Sequence, residues 1–328
     1  MFLIKLKNNK TFTCDKDSTI FEAAKNSNII LEHSCLSSRC RSCIVKVVSG
    51  STIYKEEELV LTKEDKNANF VLSSNAKPLS DIELDIEDLS DITLFEKKII
   101  PSKISIIEKL TDDILKIVLR LPPNSNFNFN SGQYVNIIKG NLTRSYSIAN
   151  CSDHKNQLEF FIKNYENGLM SEYFFKEAKI NDLLRLEGPI GTFFLRESNF
   201  KNIIFLATGT GVAPIKSILE GLDKFHEQYQ NKKIWVIVGA RYQEDLFWEP
   251  NLKNLNINYI PVLSRQVNDW NGAKGYVQNI VLKQQIDLEN TQVYACGSDN
   301  MIKSAKELFL KNSLKENSFF SDAFVQTN

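Results

Sequence analysis

Ile203-Ile204-Phe205-Leu206-Ala207-Thr208-Gly209-Thr210-Gly211-Val212-Ala213-Pro214 runs from five apolar residues directly into a glycine-rich turn. The apolar run has the length of a buried strand. The glycines permit a tight turn and a close approach of backbone to a pyrophosphate, and Pro214 suits the first turn of a helix. The segment departs from the G-x-G-x-x-G fingerprint, because Pro214 stands where the third glycine would be. A lone glycine-rich turn is a weak signal; a strand before it and a helix after it strengthen the reading.

The same alternation continues toward the C-terminus. Strand cores are predicted at 234–238, 259–263 and 293–295, with helical stretches at 215–222 and 301–310. Alternating strand and helix implies a parallel sheet with a nucleotide site at its carboxyl edge. Cys296-Gly297-Ser298-Asp299-Asn300-Met301 follows the last of these strands, and its glycine lets the chain turn where a nicotinamide could lie. A buried structural cysteine is the alternative for Cys296. Gly239-Ala240-Arg241 and Ser264-Arg265 both follow strand ends where a nucleotide 2′-phosphate could be read. An arginine there can bind that phosphate, so NADH and NADPH both stay open.

Upstream, residues 102–196 read as nearly all strand, with examples at 104–107, 114–119, 134–138, 158–162 and 183–186 separated by Pro/Asn/Gly clusters. Many short strands at that spacing predict a small barrel, interrupted by one helix near 170–178. Arg144-Ser145-Tyr146-Ser147 lies on one of the strands, preceded by Gly132-Gln133-Tyr134. Alternation puts Arg144 and Tyr146 on one face and Ser147 on the other. An arginine can neutralise a pyrophosphate, an aromatic ring can cover a flavin, and a hydroxyl can reach a ring nitrogen; an exposed polar strand edge is the alternative. Gly168-Leu169-Met170-Ser171 opens the helix, where backbone N–H groups favour a phosphate and where an ordinary cap would also place a serine.

Residues 1–90 begin with alternating stretches around Asn8-Asn9-Lys10, and Thr19-Ile20-Phe21-Glu22 has the spacing of a capping box opening a short helix. His33-Ser34-Cys35-Leu36-Ser37-Ser38-Arg39-Cys40-Arg41-Ser42-Cys43 then sets Cys35, Cys40 and Cys43 in a C-x4-C-x2-C spacing. Thiolates are soft ligands suited to iron–sulfur clusters or zinc, and structural zinc usually uses paired C-x2-C units or added histidines. The chain has three histidines and only His33 is near, so a [2Fe–2S] cluster is favoured over zinc. A fourth ligand is expected roughly 30 residues on, where the sequence reads Val71-Leu72-Ser73-Ser74-Asn75-Ala76. Ser74 could supply a harder, more basic oxygen ligand, which would lower the cluster's potential; loss of the cluster is the alternative.

The whole chain has 328 residues, 42% apolar and 24% charged, so it fits two or three domains. Lys+Arg and Asp+Glu are both 40, which argues against nucleic acid as the main partner. The N-terminus alternates like a strand, and no apolar run approaches the length of a membrane span. Six cysteines then read as ligands or free thiols in a reducing cytoplasm.

These motifs, in this order behind the cysteine loop, resemble the ferredoxin–NADP reductase superfamily fused to an N-terminal plant-type ferredoxin. The resemblance covers essentially the whole chain. It implies a multidomain α+β and α/β protein: a β-grasp ferredoxin at 1–90, a linker at 91–101, an antiparallel β-barrel FAD domain at 102–196 and a parallel-sheet nucleotide-binding domain at 197–328. It further implies that Arg144 and Ser171, at the turn of Gly168, contact the flavin pyrophosphate, Tyr146 packs on the isoalloxazine and Ser147 hydrogen-bonds near its redox-active nitrogen. Gly209, Thr210 and Gly211 would bind the pyridine nucleotide, aided by Arg241, Ser264 and Arg265, with Cys296 and Gly297 beside the nicotinamide. Asp322-Ala323-Phe324 resembles the family's acidic-x-aromatic ending. Asp322 would then join Ser147 and Cys296 in catalysis, and Phe324 would stack on the flavin, a plain apolar tail being its alternative.

Within the superfamily, Ser34–Cys40, Leu119–Asn124, Arg144–Asn150, Leu186–Phe194 and Ser321–Phe324 are similar to the CDP-6-deoxy-3,4-glucoseen reductases of dideoxysugar biosynthesis. That likeness implies electron flow from NAD(P)H through FAD and [2Fe–2S] to a pyridoxamine-phosphate-dependent dehydrase. Reductase components of aromatic-ring or other iron oxygenases share the architecture and form one alternative. A flavoprotein or interaction module with a vestigial, cluster-free ferredoxin domain forms another.

Overall fold

The computed structural model describes residues 1–34, 42–89, 92–152, 156–265 and 269–323. Cys35, Cys40 and Phe324 lie outside the described residues. The chain divides into two compact units at Leu94/Phe95.

The first unit is a five-stranded mixed sheet in the order Thr11–Cys14, Phe2–Leu6, Ile82–Leu84, Ile44–Ser49, Phe70–Leu72. Phe2–Leu6 is antiparallel to Thr11–Cys14 and parallel to Ile82–Leu84. Its alternation buries Ile4 and Leu6 and leaves Leu3 and Lys5 exposed, as a half-buried strand requires. The helix Ile20–Asn26 starts at the predicted capping box, with Thr19 and Glu22 each bonding the other's backbone, and buries Ile20, Ala23 and Ala24. A second box, Thr62 with Asp65, opens Lys63–Asn67. That helix escaped the sequence reading because it buries nothing and so carries no apolar stripe.

In the second unit, six strands run antiparallel in the order Leu142–Ser147, Tyr134–Lys139, Leu183–Ile190, Lys98–Lys109, Ile114–Arg120, Gln157–Lys163. The Ala149 N–H donates to the Glu159 carbonyl at 2.8 Å, which draws the two ends of this sheet together as a barrel. The predicted helix appears as Leu169–Glu172 followed by a π-helical turn, Tyr173–Glu177, whose Tyr173 and Phe174 are buried in the barrel core.

Six parallel strands follow in the order Ala273–Lys274, Ile257–Leu263, Lys233–Ala240, Asn202–Thr208, Thr291–Gly297, Phe319–Ala323. Asn202–Thr208 is central and buried from its first residue to Ala207, which accounts for a continuous apolar run where a sheet is covered on both faces. Barrel residues Ile114, Ala149, Phe161 and Phe193 share one core with Ile203, Phe205, Ile218 and Val236 of the parallel sheet and its helix. Lys216 adds a polar tie, donating to the Ala149 carbonyl at 3.0 Å and pairing with Glu220 at 2.6 Å and Glu159 at 3.3 Å. Two different periodicities therefore meet in a single packed unit.

Candidate functional site

Leu142–Ser147 is an end strand of the barrel sheet, pairing Arg144 with Ile137, Tyr146 with Val135 and Ser147 with Tyr134. Arg144 and Tyr146 are half-buried on one face, Thr143 and Ser145 are exposed, and Ser147 at the strand's end is buried. Tyr146 meets the edge of Phe174 at 6.1 Å and 89°. Burial pushes its phenol well up, against the nearby Arg144 charge, so the ring stays neutral. The Arg144 Nη1 donates to the Thr143 carbonyl at 2.8 Å. Ser171, close in sequence to the barrel's π-turn, accepts from the Tyr165 N–H at 3.2 Å and donates to the Gly168 carbonyl at 2.8 Å. Its hydroxyl thus closes the turn at 165–168. A Cβ on Gly168 would stand 2.5 Å from the Ser171 Oγ, so a side chain there would displace the hydroxyl that closes the turn.

At the carboxyl edge of the parallel sheet the two turns singled out in the sequence interlock. Gly209–Gly211 forms a 3-10 turn leading into the helix Val212–Lys224, which places Pro214 in its first turn. Gly209 has φ +55° and open space where a Cβ would go. Gly211 instead faces the Cys296 carbonyl, with only 2.2 Å between that oxygen and an added Cβ. Gly297, at φ +144°, packs on Thr208, whose Oγ1 accepts from the Ser298 N–H at 3.2 Å. Cys296 is wholly buried, opposite Ala207 on one side and Asp322 on the other. Burial pushes its thiol far up, and the Asp322 carboxylate adds to the shift. Asp322 is itself buried.

Arg241, Ser264 and Arg265 come together at adjacent strand ends: the Ser264 N–H donates to the Ala240 carbonyl and the Arg265 N–H to the Arg241 carbonyl, each at 3.0 Å. All three are exposed. A cleft beside them is lined by Gly209, Val212, Gly239, Asp245 and Trp248. Sequence reasoning missed Asp245 and Trp248, which sit outside any strand or long helix, and it missed Thr208 as the hydroxyl that ties the two turns. The strand-end position of Thr208, next to Gly209, was the available signal.

In the first unit, Cys43 is buried at the entry to the strand Ile44–Ser49. Ser74, half-buried in the turn after Phe70–Leu72, lies with its Oγ 3.1 Å from the Cys43 Sγ. The hydroxyls of Ser42 and Ser73, flanking these two residues, are buried with no hydrogen-bond partner among the described residues. A thiol and a hydroxyl converging between orphaned hydroxyls fit a site whose ligand shell and outer hydrogen bonds are completed by an inorganic cluster.

Three family models match in series: a 2Fe-2S iron-sulfur cluster binding domain over residues 4–78, an oxidoreductase FAD-binding domain over 101–195 and an oxidoreductase NAD-binding domain over 205–307. The CDP-6-deoxy-L-threo-D-glycero-4-hexulose-3-dehydrase reductase of Yersinia pestis is 42% identical over 96% of this chain and 95% of its own. Protein RfbI of Salmonella typhimurium is 36% identical over 98% and 95%. Among solved structures, the cytochrome P450 reductase GcoB of Amycolatopsis superposes with a TM-score of 0.74 at 20% identity, covering 99% of both chains, a likeness of fold. Among the described residues no helix is long and apolar enough to cross a membrane.

Proposed function

This chain belongs to the ferredoxin–NADP reductase superfamily, among the iron–sulfur flavoprotein reductases that join a 2Fe-2S, an FAD-binding and an NAD-binding domain, and on that premise we propose its partner and the roles of its residues. It is a cytoplasmic reductase that takes electrons from NADH and delivers them singly to a pyridoxamine-phosphate-dependent dehydrase acting on a CDP-4-keto-6-deoxyhexose. The observation that carries this reading is the near-full-length identity of 42% to a hexulose-dehydrase reductase. When bound, FAD and the [2Fe–2S] cluster supply the conversion of a two-electron donor into single electrons.

The protein's own residues bind, orient and shield. Arg144 offers a positive charge to the flavin pyrophosphate from the barrel edge, beside the turn that Ser171 closes at Gly168. Tyr146 supplies a neutral aromatic face, its phenol protonated at physiological pH as any tyrosine's is and pushed further from ionising by burial. Ser147, buried at the end of the same strand, provides a hydroxyl to the ring system. Cys296 acts as a neutral wall beside the nicotinamide, since a thiol held this far from ionising is no nucleophile. The buried Asp322 stands in register with Cys296 on the neighbouring strand and brings a carboxyl group to that corner.

Gly209 leaves backbone open to the nucleotide's pyrophosphate, and Arg241, Ser264 and Arg265 face its adenosine end. Asp245 lines the cleft with Gly209 and Gly239, and one of its carboxylate oxygens accepts from the Tyr242 N–H at 3.0 Å. A carboxylate there accepts from ribose hydroxyls and repels a 2′-phosphate, against the attraction that Arg241 and Arg265 would offer it, and on the carboxylate's position we take NADH as the donor.

The test is reconstitution of the purified chain with the dehydrase and its CDP-sugar. Formation of the C3-reduced sugar with NADH is expected, at a kcat/KM at least tenfold above that with NADPH. NADH-driven reduction of ferricyanide without any sugar product would reject the dehydrase as partner. A preference for NADPH would reject the role given to Asp245.

A further inference from the structure

We propose that Ser74 is the fourth protein ligand of the [2Fe–2S] cluster, bound through its deprotonated Oγ to the same iron as Cys43. The proposal rests on the cluster-bearing reading above and deepens it. Two donors on one tetrahedral metal, with bonds of about 2.0 and 2.3 Å, stand roughly 3.5 Å apart. The Cys43 Sγ and Ser74 Oγ are hydrogen-bonded at 3.1 Å, so a few tenths of an ångström separate the pair from a ligand edge.

The backbone holds both donors where they are. Ile44 pairs with Leu72 across the two strands, and the Ser73 N–H donates to the Cys43 carbonyl at 2.9 Å. The Asn75 N–H closes the turn onto the Leu72 carbonyl at 2.9 Å. The buried Asn75 side chain clamps the turn from the other side, accepting from the Glu56 N–H at 2.9 Å and donating to the Glu56 carbonyl at 3.1 Å. The Phe21 N–H adds a bond to the Ser73 carbonyl at 2.9 Å. A turn tied at four points presents Ser74 as a preorganised donor, not as a surface hydroxyl.

No described cysteine of this unit competes for the role. Cys14 lies in the core, its Sγ directed at the carbonyls of Asp15, Ser18 and Thr19 at 3.5–3.7 Å. The Ser42 and Ser73 hydroxyls, without a partner among the described residues, are available to donate to cluster sulfur, the outer-shell contact that tunes such centres.

On ligation an iron–oxygen bond forms, the Ser74 O–H breaks and its proton goes to solvent. One anionic ligand stands in for another, so the cluster's net charge matches that of a four-thiolate site. The alkoxide is the harder donor and stabilises ferric over ferrous iron. The centre is consequently a stronger one-electron reductant than its four-cysteine counterpart.

The experiment compares the full-length protein with Ser74→Cys and Ser74→Ala, all purified without oxygen, by iron and acid-labile sulfide per FAD, by EPR after reduction and by redox titration. About two irons per chain are expected in the unsubstituted protein. Ser74→Cys should keep them with an altered EPR signal and a more positive potential, and Ser74→Ala should retain less than half. Equal FAD content and circular dichroism across the three would show that the fold is intact. Equal iron and potential in the unsubstituted protein and Ser74→Ala would overturn the proposal. So would an unchanged potential in Ser74→Cys, or iron in Ser74→Cys alone. Bleaching of FAD by NADH, measured separately on the unsubstituted protein, reports on the reductase reading independently of the iron.

Discussion

Gly211→Ala probes the contact that joins the two nucleotide turns. An ideal Cβ at Gly211 stands 2.2 Å from the Cys296 carbonyl oxygen, 2.6 Å from its carbon and 2.9 Å from the Gly297 nitrogen. Ordinary contact begins at 3.4 Å, so the two turns must part by about 1.2 Å. Gly211 itself has φ −59° and ψ −12°, a conformation alanine adopts freely, which leaves the steric clash as the whole effect. All three opposing atoms are backbone at the buried end of Thr291–Gly297, and no side chain can swing away to relieve them. Overpacking of this kind costs about 1–3 kcal/mol. A displacement of about 1 Å at reacting groups costs about 10²-fold in rate. Steady-state NADH oxidation with ferricyanide as acceptor should therefore show kcat lowered about 100-fold. A calorimetric Tm lowered by several degrees should accompany it. A kcat within twofold of the unsubstituted protein at unchanged Tm would refute the claim that these turns are locked together.

Gly209→Ala makes the opposite test, because its Cβ meets nothing within 4 Å while φ is +55°. The left-handed conformation costs about 1 kcal/mol, and the methyl occupies the face offered to pyrophosphate. KM for NADH should rise at least tenfold with a small change in Tm; an unchanged KM counts against that face as the nucleotide site. Cys296 should stay unmodified by iodoacetamide at pH 8 in the native protein, read by peptide mass spectrometry, since its thiol is held far from ionisation; rapid labelling would contradict the neutral-wall role. Thr19→Ala removes a fully formed capping box and should destabilise the first unit by about 1 kcal/mol in denaturant titration, with no loss meaning that the cap is idle. Glu58 is buried, which opposes ionisation, yet Lys66 at 2.9 Å and the N–H groups of Leu61 and Val60 more than offset this and lower its pKa. A depressed folded pKa contributes stability above the unfolded value, about 4.3, and loses it as pH falls through the folded pKa. Glu58→Gln should flatten the acid limb of the stability profile of the first unit, and an identical limb would remove Glu58 from its cause.

Local signals carried much of the architecture. The alternation at Ile4 and Leu6, the box at Thr19 and Glu22 and the strand–turn–helix at Ala207–Pro214 each depend on residues no more than seven positions apart, and the structure forms all three. The π-turn Tyr173–Glu177 was not legible, because five residues are about one helical turn and too few for apolar periodicity to separate i→i+4 from i→i+5 bonding. Nor was the Lys63–Asn67 helix, which has a cap but no buried face.

Residue types and short spacings were legible along the chain: three spaced cysteines with a serine at the fourth position, an arginine–tyrosine–serine strand, and two glycine turns at strand ends. These are statements about residue types and short spacings, and short spacings are governed by backbone geometry alone. Which of them meet was settled by long-range packing. Ser74 reaches Cys43 across 31 residues, Ser298 reaches Thr208 across 90, and Lys216 reaches Ala149 across 67. Such contacts depend on strand order, register and a shared core, which are set by global packing and leave no periodic trace in the chain. The serine that reads in sequence as a missing ligand is placed by that packing beside the cysteine it would serve.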